Sequence, residues 1–190
     1  MPALTALSWP RSTSRLLLRP GLQADLAPLW EIRRLPEVAQ WMTDESAELE
    51  QFLRRSEEVD RLASTIIVER DGAMIGDLML RVEDPYSQHE VKAQAAGTQA
   101  EIGWCLAPSA QGHGYAEEAV RDLLRIAFDE LGLRRVTALC FADNTPSWRL
   151  MEKVGMRREA HTVQDSLHRS GRWLDGLEYA LLADERAPLG

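Results

Sequence analysis

Gln111-Gly112-His113-Gly114-Tyr115-Ala116 is the stretch of this chain whose residue types could do chemistry together. Its two glycines let the backbone turn tightly and bring N–H groups close to a ligand with no Cβ in the way. A strand is expected just before it, over Ala100 to Leu106, and a strongly periodic helix just after it, from Ala116. A helix start presents unpaired N–H groups and the positive end of its dipole. Strand, glycine turn and helix start together describe an anion site, most naturally for a pyrophosphate. No Walker lysine follows the glycines and no Gly-x-Gly-x-x-Gly run opens a helix, so nucleotide-binding folds of those kinds are set aside.

Ser147 is the second residue of chemical interest. At helical spacing it shares a face with Leu150, Met151 and Val154, and a buried hydroxyl on an apolar stripe needs a partner. It can equally be a serine that caps or bonds back within the first helical turn. Cys105 and Cys140, the two cysteines, both fall in expected strands. They read as free thiols in a buried sheet rather than as a disulfide or metal ligands. The four histidines show no metal spacing with them, so no metal site is expected.

The elements that must position these residues follow from periodicity and breakers. Ser14 to Pro20 reads as a first strand, stopped by Pro20-Gly21. Asp25 stands at an N-cap position before a helix carrying Leu26, Leu29, Trp30 and Arg33. Pro36 breaks it, and a short helix follows over Glu37 to Trp41. A polar helix spans about 46–62. Thr65 to Arg70 and Ala73 to Val82 are strands joined by the hairpin turn Asp71-Gly72. Glu83 to Gln99 lacks periodicity and reads as a mobile loop. After Ala116 one helical stripe runs through Ala119, Val120, Leu123, Leu124, Ala127, Phe128 and Leu131, closed by Gly132. Arg135 to Phe141 is a strand, a helix runs from Thr145 or Pro146 to Val154, and Gly155 closes it. A strand from Met156, a turn near Ser170-Gly171 and a last strand ending at Tyr179 to Leu182 complete the chain. This order implies an α/β layer architecture in which the Ala100 and Arg135 strands are parallel, because a long helix joins them.

With 190 residues the chain has material for one domain with a full core, expected over 12–184 with loose termini at 1–11 and 185–190. No apolar run is long enough to span a bilayer, and the N-terminus lacks a basic region and cleavage site, so a cytoplasmic protein with no membrane partner is expected. The net charge of −8 argues against a nucleic-acid partner, which needs a basic face, and suits a cationic amine.

The order of motifs resembles the GCN5-related N-acetyltransferase (GNAT) superfamily. Gln111, Gly114 and Ala116 meet its acetyl-CoA signature of Gln or Arg, two residues, Gly, one residue, then Gly or Ala. Three further stretches are similar to the Rim-type branch, whose founding members acetylate ribosomal-protein N-termini. They are Arg15-Leu16-Leu17-Leu18-Arg19-Pro20, then Asp143-Asn144-Thr145-Pro146-Ser147-Trp148 on through Gly155-Met156, and Gly171-Arg172-Trp173-Leu174-Asp175 with Tyr179 and Leu181. The resemblance implies a mixed, mostly antiparallel central sheet flanked by helices, with a parallel strand pair splayed at the acetyl-CoA site.

It also implies roles. The coenzyme pyrophosphate would lie on the N–H groups of Gln111, Gly112, His113, Gly114, Tyr115 and Ala116, and pantetheine would add as a strand beside Trp104, Cys105 and Leu106. Gly103 would permit the bulge that opens the sheet. Asn144 would cap its helix and also bond pantetheine. Ser147 would meet the coenzyme sulfur and support or protonate the leaving thiolate. Glu101 would be the base that frees the amine, or a residue that binds the substrate or pairs with a basic side chain. A backbone N–H near Cys105 or Leu106 would hold the oxyanion. Acetyl would pass directly to a primary amine in a ternary complex, without an acetyl-cysteine at Cys105. The amine would belong to a protein N-terminus or a small molecule, aminoglycosides included, and a non-catalytic acyl-CoA sensor is the remaining alternative. Trp30, Trp41, Asp44, Glu45 and Tyr86 come from segments that line the acceptor cleft in relatives. A monomer or homodimer is expected.

Overall fold

The computed structural model describes residue 4 and residues 7–44 and 47–186. Its strands are β1 (Arg11–Ser12), β2 (Leu17–Pro20), β3 (Thr65–Arg70), β4 (Ala73–Glu83), β5 (Gln99–Leu106), β6 (Arg135–Phe141), β7 (Arg157–Leu167) and β8 (Trp173–Leu182). They hydrogen-bond in the order β1-β2-β3-β4-β5-β6-β8-β7. The sheet is antiparallel except for the β5/β6 pair, as the strand–helix–strand order requires. The helices are α1 (Leu26–Arg33), α2 (Pro36–Ala39), α3 (Leu49–Glu58), α4 (Lys92–Ala95), α5 (Tyr115–Arg125) and α6 (Thr145–Lys153). The chain forms two compact units, one from 2–80 and 104–122, the other from 81–103 and 123–190.

The first unit holds β1 to β3, most of β4, the end of β5, helices α1 to α3 and the start of α5. Asp71 and Gly72 take positive φ, 51° and 77°, as the hairpin turn between β3 and β4 demands. Leu26, Leu29, Phe52 and Ile67 form one buried cluster, with Trp30, Leu53, Leu62 and Met74 packed against it. Asp25 corrects its expected role, because its carboxylate makes no cap bond to α1. It accepts instead from both Arg19 Nη atoms at 2.6 and 2.8 Å and from the Leu22 N–H at 2.8 Å. A nearby guanidinium offers a carboxylate two charge-assisted bonds where a helix start offers neutral N–H groups.

The second unit holds the start of β5, β6 to β8, α4 and α6. The stretch between β4 and β5 is not wholly irregular, since it contains single turns at His89–Val91 and Lys92–Ala95. The periodic stripe after Ala116 is accurate up to Phe128, yet the last turn, Ile126–Glu130, is a π-helix. There the Leu131 N–H donates to the Ile126 carbonyl at 3.0 Å, five residues back. Ile126 is buried as well, three residues after Leu123 and seven after Ala119 and so at the edge of the same face, while Leu131, beyond the wider turn, is half-buried. Pro146 stands in the first turn of α6 and Gly155 follows its end with φ of 94°.

Candidate active site

In the first unit the signature loop is exposed from Gln111 to Gly114, and its glycines take φ of 76° and 79°. A Cβ at Gly112 would meet nothing within 4 Å. The Glu118 N–H donates to the Gly114 carbonyl at 3.1 Å, so the amides just before it belong to those that a helix start leaves without an intrahelical acceptor. Tyr115 is buried and fixes the loop from beneath, with the Arg15 and Arg70 guanidinium groups 4.7 and 4.9 Å from its ring centroid. His113 stacks on the same ring at 5.5 Å, its Nδ1 2.7 Å from the Gln111 carbonyl. The Glu118 carboxylate ties the N-terminal segment down through Thr13, Ser14 and Arg15. Burial works to raise its pKa, but those hydrogen bonds outweigh burial and hold it at about 2. The backbone amides of the loop thus remain the groups that suit a pyrophosphate, which is what the acetyl-CoA signature requires.

The end of β5 lies in the same unit. The Ala107 N–H donates to the Ile75 carbonyl at 2.9 Å, and a Cβ on Gly76 would come within 2.1 Å of the Cys105 carbonyl oxygen. Cys105 and Ala107 therefore direct their backbone groups toward β4, and by alternation Trp104 and Leu106 direct theirs to the opposite edge. That narrows the expected oxyanion donor to the Leu106 side of the pair. Gly76 is a glycine that close approach demands, and a β-bulge sits beside it: Val68 pairs with Gly76 and Glu69 with Met74, leaving Ile75 extra. The Cys105 thiol is buried, and burial followed by the charge of Asp77 pushes it up to about 12. A thiol so held is no nucleophile near neutral pH.

Beneath this strand lies a buried ion pair that periodicity did not single out. Arg33 Nη2 donates to Asp77 Oδ2 at 2.5 Å, and Asp77 is only 2% exposed. Burial works to lower the Arg33 pKa, and the charge and hydrogen bond of Asp77, with nearby groups such as Asp44, together raise it above its ordinary value. Arg33 Nε and Asp77 Oδ1 are buried without hydrogen-bond partners. The signal was present in the sequence, as a lone carboxylate in the apolar run Met74 to Leu80. Asp44, an expected acceptor-cleft residue, is 3.0 Å from both Arg61 Nη2 and Arg55 Nη1. Trp30 packs on the core cluster beside Arg34, and Trp41 is half-buried. Glu45 lies outside the described residues.

The second unit carries the remaining candidates. The β5/β6 ladder runs from Gln99↔Arg135 to Glu101↔Thr137, whereas β6 continues to Phe141 and β5 to Leu106. Glu101 is paired with Arg81. Burial raises its pKa most, Arg81 opposes the rise, and Glu83 adds to it. Ser147 is half-buried on α6, above Met151 and Val154, which are buried as the stripe predicts. Its hydroxyl shares a hydrogen bond with the Cys140 thiol, which burial pushes up to about 11 against that bond. Asn144 occupies the N-cap position, but its side chain makes no cap bond, a correction to the expected capping role. Its carbonyl accepts from the Ser147 and Trp148 N–H groups at 3.1 and 3.4 Å, so backbone closes the turn and the carboxamide is left for another partner. Tyr179 is fully buried and donates to Glu152 at 2.9 Å, which ties α6 to β8. Tyr86 is fully exposed.

Among the described residues no cluster of His, Cys, Asp or Glu could hold a metal ion, and no helix is long and apolar enough to cross a membrane. A family model described as an acetyltransferase (GNAT) domain matches residues 15–157. The uncharacterized N-acetyltransferase YnaD of Bacillus subtilis (strain 168) is 38% identical over 116 residues, 60% of this chain and 68% of that protein. The putative ribosomal N-acetyltransferase YdaF of the same organism is 30% identical over 115 residues, 60% of this chain and 57% of that protein. The Vibrio cholerae spermidine N-acetyltransferase, solved with CoA and spermine, superposes with a TM-score of 0.75 at 21% identity, covering 91% of this chain and 98% of that one. With its glycine loop at a helix start and the parallel β5/β6 pair in an otherwise antiparallel sheet among the described residues, the chain belongs to the GNAT family and is an acetyl-CoA-dependent N-acetyltransferase.

Proposed function

We propose that the chain, acting as one domain over 12–184, moves acetyl from acetyl-CoA straight to a primary amine in a ternary complex, with an α-amino group as the acceptor. One observation carries the direct-transfer reading. The β5/β6 ladder ends at Glu101↔Thr137 while β5 runs on to Leu106, so the strand beyond Glu101 is where a pantetheine arm would add, taking the place of the Gln111 carboxamide at the Leu106 carbonyl. The amides of Gly112 to Ala116 would hold the pyrophosphate, the Gln111 N–H being given to the Pro108 carbonyl, and Trp104, Cys105 and Leu106 the pantetheine, through backbone at the first and third. Asn144 would bond the pantetheine with its carboxamide.

Three tasks remain for side chains and strand end. The amine must be neutral to attack, and Glu101 is the base: burial raises its affinity for a proton, and Arg81 keeps it ionised enough to take one. The Leu106 N–H stabilises the oxyanion. Ser147 turns its hydroxyl from the Cys140 thiol to the departing thiolate and gives it a proton, and the proton that Glu101 took from the amine returns through solvent to the serine oxygen. The α-amino reading draws on the Rim-type motifs and on the likeness to YdaF, a putative ribosomal N-acetyltransferase. A polyamine is the second reading, favoured by the net charge of −8 and by the fold shared with a spermidine acetyltransferase.

Calorimetric titration with acetyl-CoA tests the cofactor, and thiol release against N-terminal peptides, lysine peptides, polyamines and aminoglycosides tests the acceptor. Binding with peptide-dependent release is expected. Release with polyamines or aminoglycosides alone moves the acceptor to small molecules, and binding without release from any amine leaves a sensor.

A further inference from the structure

We propose that the Gln111 side chain is a stand-in for the coenzyme's pantetheine amide at the end of β5, so that coenzyme binding exchanges one amide N–H for another on the Leu106 carbonyl. This rests on the acetyl-CoA reading above. The Leu106 carbonyl points to the strand edge away from β4, by the alternation that turns Cys105 and Ala107 toward Ile75 and Gly76. It is the last acceptor of β5 on that edge, and Leu106 is only 6% exposed. A carbonyl in such a place costs free energy when it has no donor. Gln111 Nε2 supplies one at 3.0 Å.

The donor is a primary carboxamide, chemically the same kind of group as the amides of pantetheine, and it approaches the carbonyl that an added strand would use. The backbone of Gln111 is fixed separately, by its N–H donating to the Pro108 carbonyl at 3.2 Å. Its side chain is exposed, and Gly112 next to it carries no side chain to obstruct a swing. Nothing else in the contacts of Gln111 needs to break for the carboxamide to leave. The first residue of the signature thus does more than begin the phosphate loop. It keeps the strand end satisfied while the site is empty and gives way to a ligand that brings its own amide, so a pantetheine-bearing nucleotide gains at that carbonyl only the excess of the incoming bond over the bond lost.

The test is the affinity ratio between acetyl-CoA and 3′-phospho-ADP, which shares the nucleotide end and lacks pantetheine. Both are titrated calorimetrically into the wild type and into Gln111→Met, which keeps length and loses the donor. Removing a competing hydrogen bond should raise the ratio in favour of acetyl-CoA by about fivefold. Any contact between Gln111 and phosphate cancels, because it weakens both ligands alike. A ratio that stays level or falls overturns the stand-in and makes Gln111 a fixed tie between loop and strand. Wild type that binds neither ligand, while melting cooperatively, overturns the coenzyme reading itself.

Discussion

At the scale of single residues, Ser147 and Asp77 show why burial and partners matter more than residue type. Ser147 could have been a capping serine, but the Asn144 carbonyl already closes that turn, and the hydroxyl is spent on a neutral thiol. A weak acceptor is easily abandoned for a charged one. Ser147→Ala should therefore lower kcat by about 100- to 10,000-fold, the range of a proton donor, with the acetyl-CoA dissociation constant changed less than about twofold in calorimetry. Equal loss of both would make it a packing residue. Asp77 is the opposite case, a charge with nowhere to go. Removing one member of a buried ion pair leaves the other uncompensated, at a cost of roughly 3–5 kcal/mol. Arg33→Met and Asp77→Leu should each destabilise on that scale in urea melts. The double variant should recover most of it, since an apolar pair leaves no charge behind.

Among the elements, the strand end and the glycine opposite it set the most demanding geometry. At Gly76 a Cβ would lie 2.1 Å from the Cys105 carbonyl oxygen and 2.8 Å from the Leu106 Cα, both backbone atoms that cannot rotate aside. Gly76→Ala should cost roughly 1–3 kcal/mol in denaturant melts, as overpacking does. It should also weaken acetyl-CoA binding, because the strand must shift where pantetheine adds. Gly112→Ala is the control: the space is open, so only the φ of 76° is strained, and its melting should fall less. The difference between these two glycines marks what the sequence could reveal. Gly112 and Gly114 announced themselves by standing between a strand and a periodic helix. Gly76 sits in a strand whose partner lies about thirty residues away, and no local pattern reports that distance. The same limit explains the other departures. Hydrophobic periodicity located α5 and the stripe of α6, since a helix face is a local property. The π turn at Ile126 and the true partners of Asp25 are decided by what packs against them. Chemistry-bearing residues were legible because the motifs group them; of the Arg33–Asp77 pair only the lone carboxylate in an apolar run was legible, because its partner lies on a separate element.

For the molecule as a whole, pH dependence separates the acceptor classes that fold and cofactor leave open. Two protonations shape the rate. Glu101 must be ionised to act as base, and burial lifts its pKa above the ordinary glutamate value. Activity should accordingly rise with pH through a limb lying above about 4.3, the reference for an exposed glutamate. Glu101→Gln should remove that limb and leave a slower rate that depends on the amine alone. The upper limb belongs to the substrate, which must arrive neutral. An α-amino group loses its proton near pH 8 and a lysine near about 10.4. With a peptide N-terminus, kcat/KM should level off just above pH 8. With a lysine peptide or polyamine it should keep rising roughly tenfold per pH unit to pH 10. Ionic strength gives an independent reading, because a chain of net charge −8 attracts polycations through a field that salt screens. For a polyamine acceptor KM should climb several-fold between low and physiological salt, and for an N-terminal peptide of low charge it should hardly move. A plateau above pH 8 together with a flat salt response would select the N-terminal acceptor. A rising limb with strong salt dependence would select the polyamine and retire the Rim-type assignment.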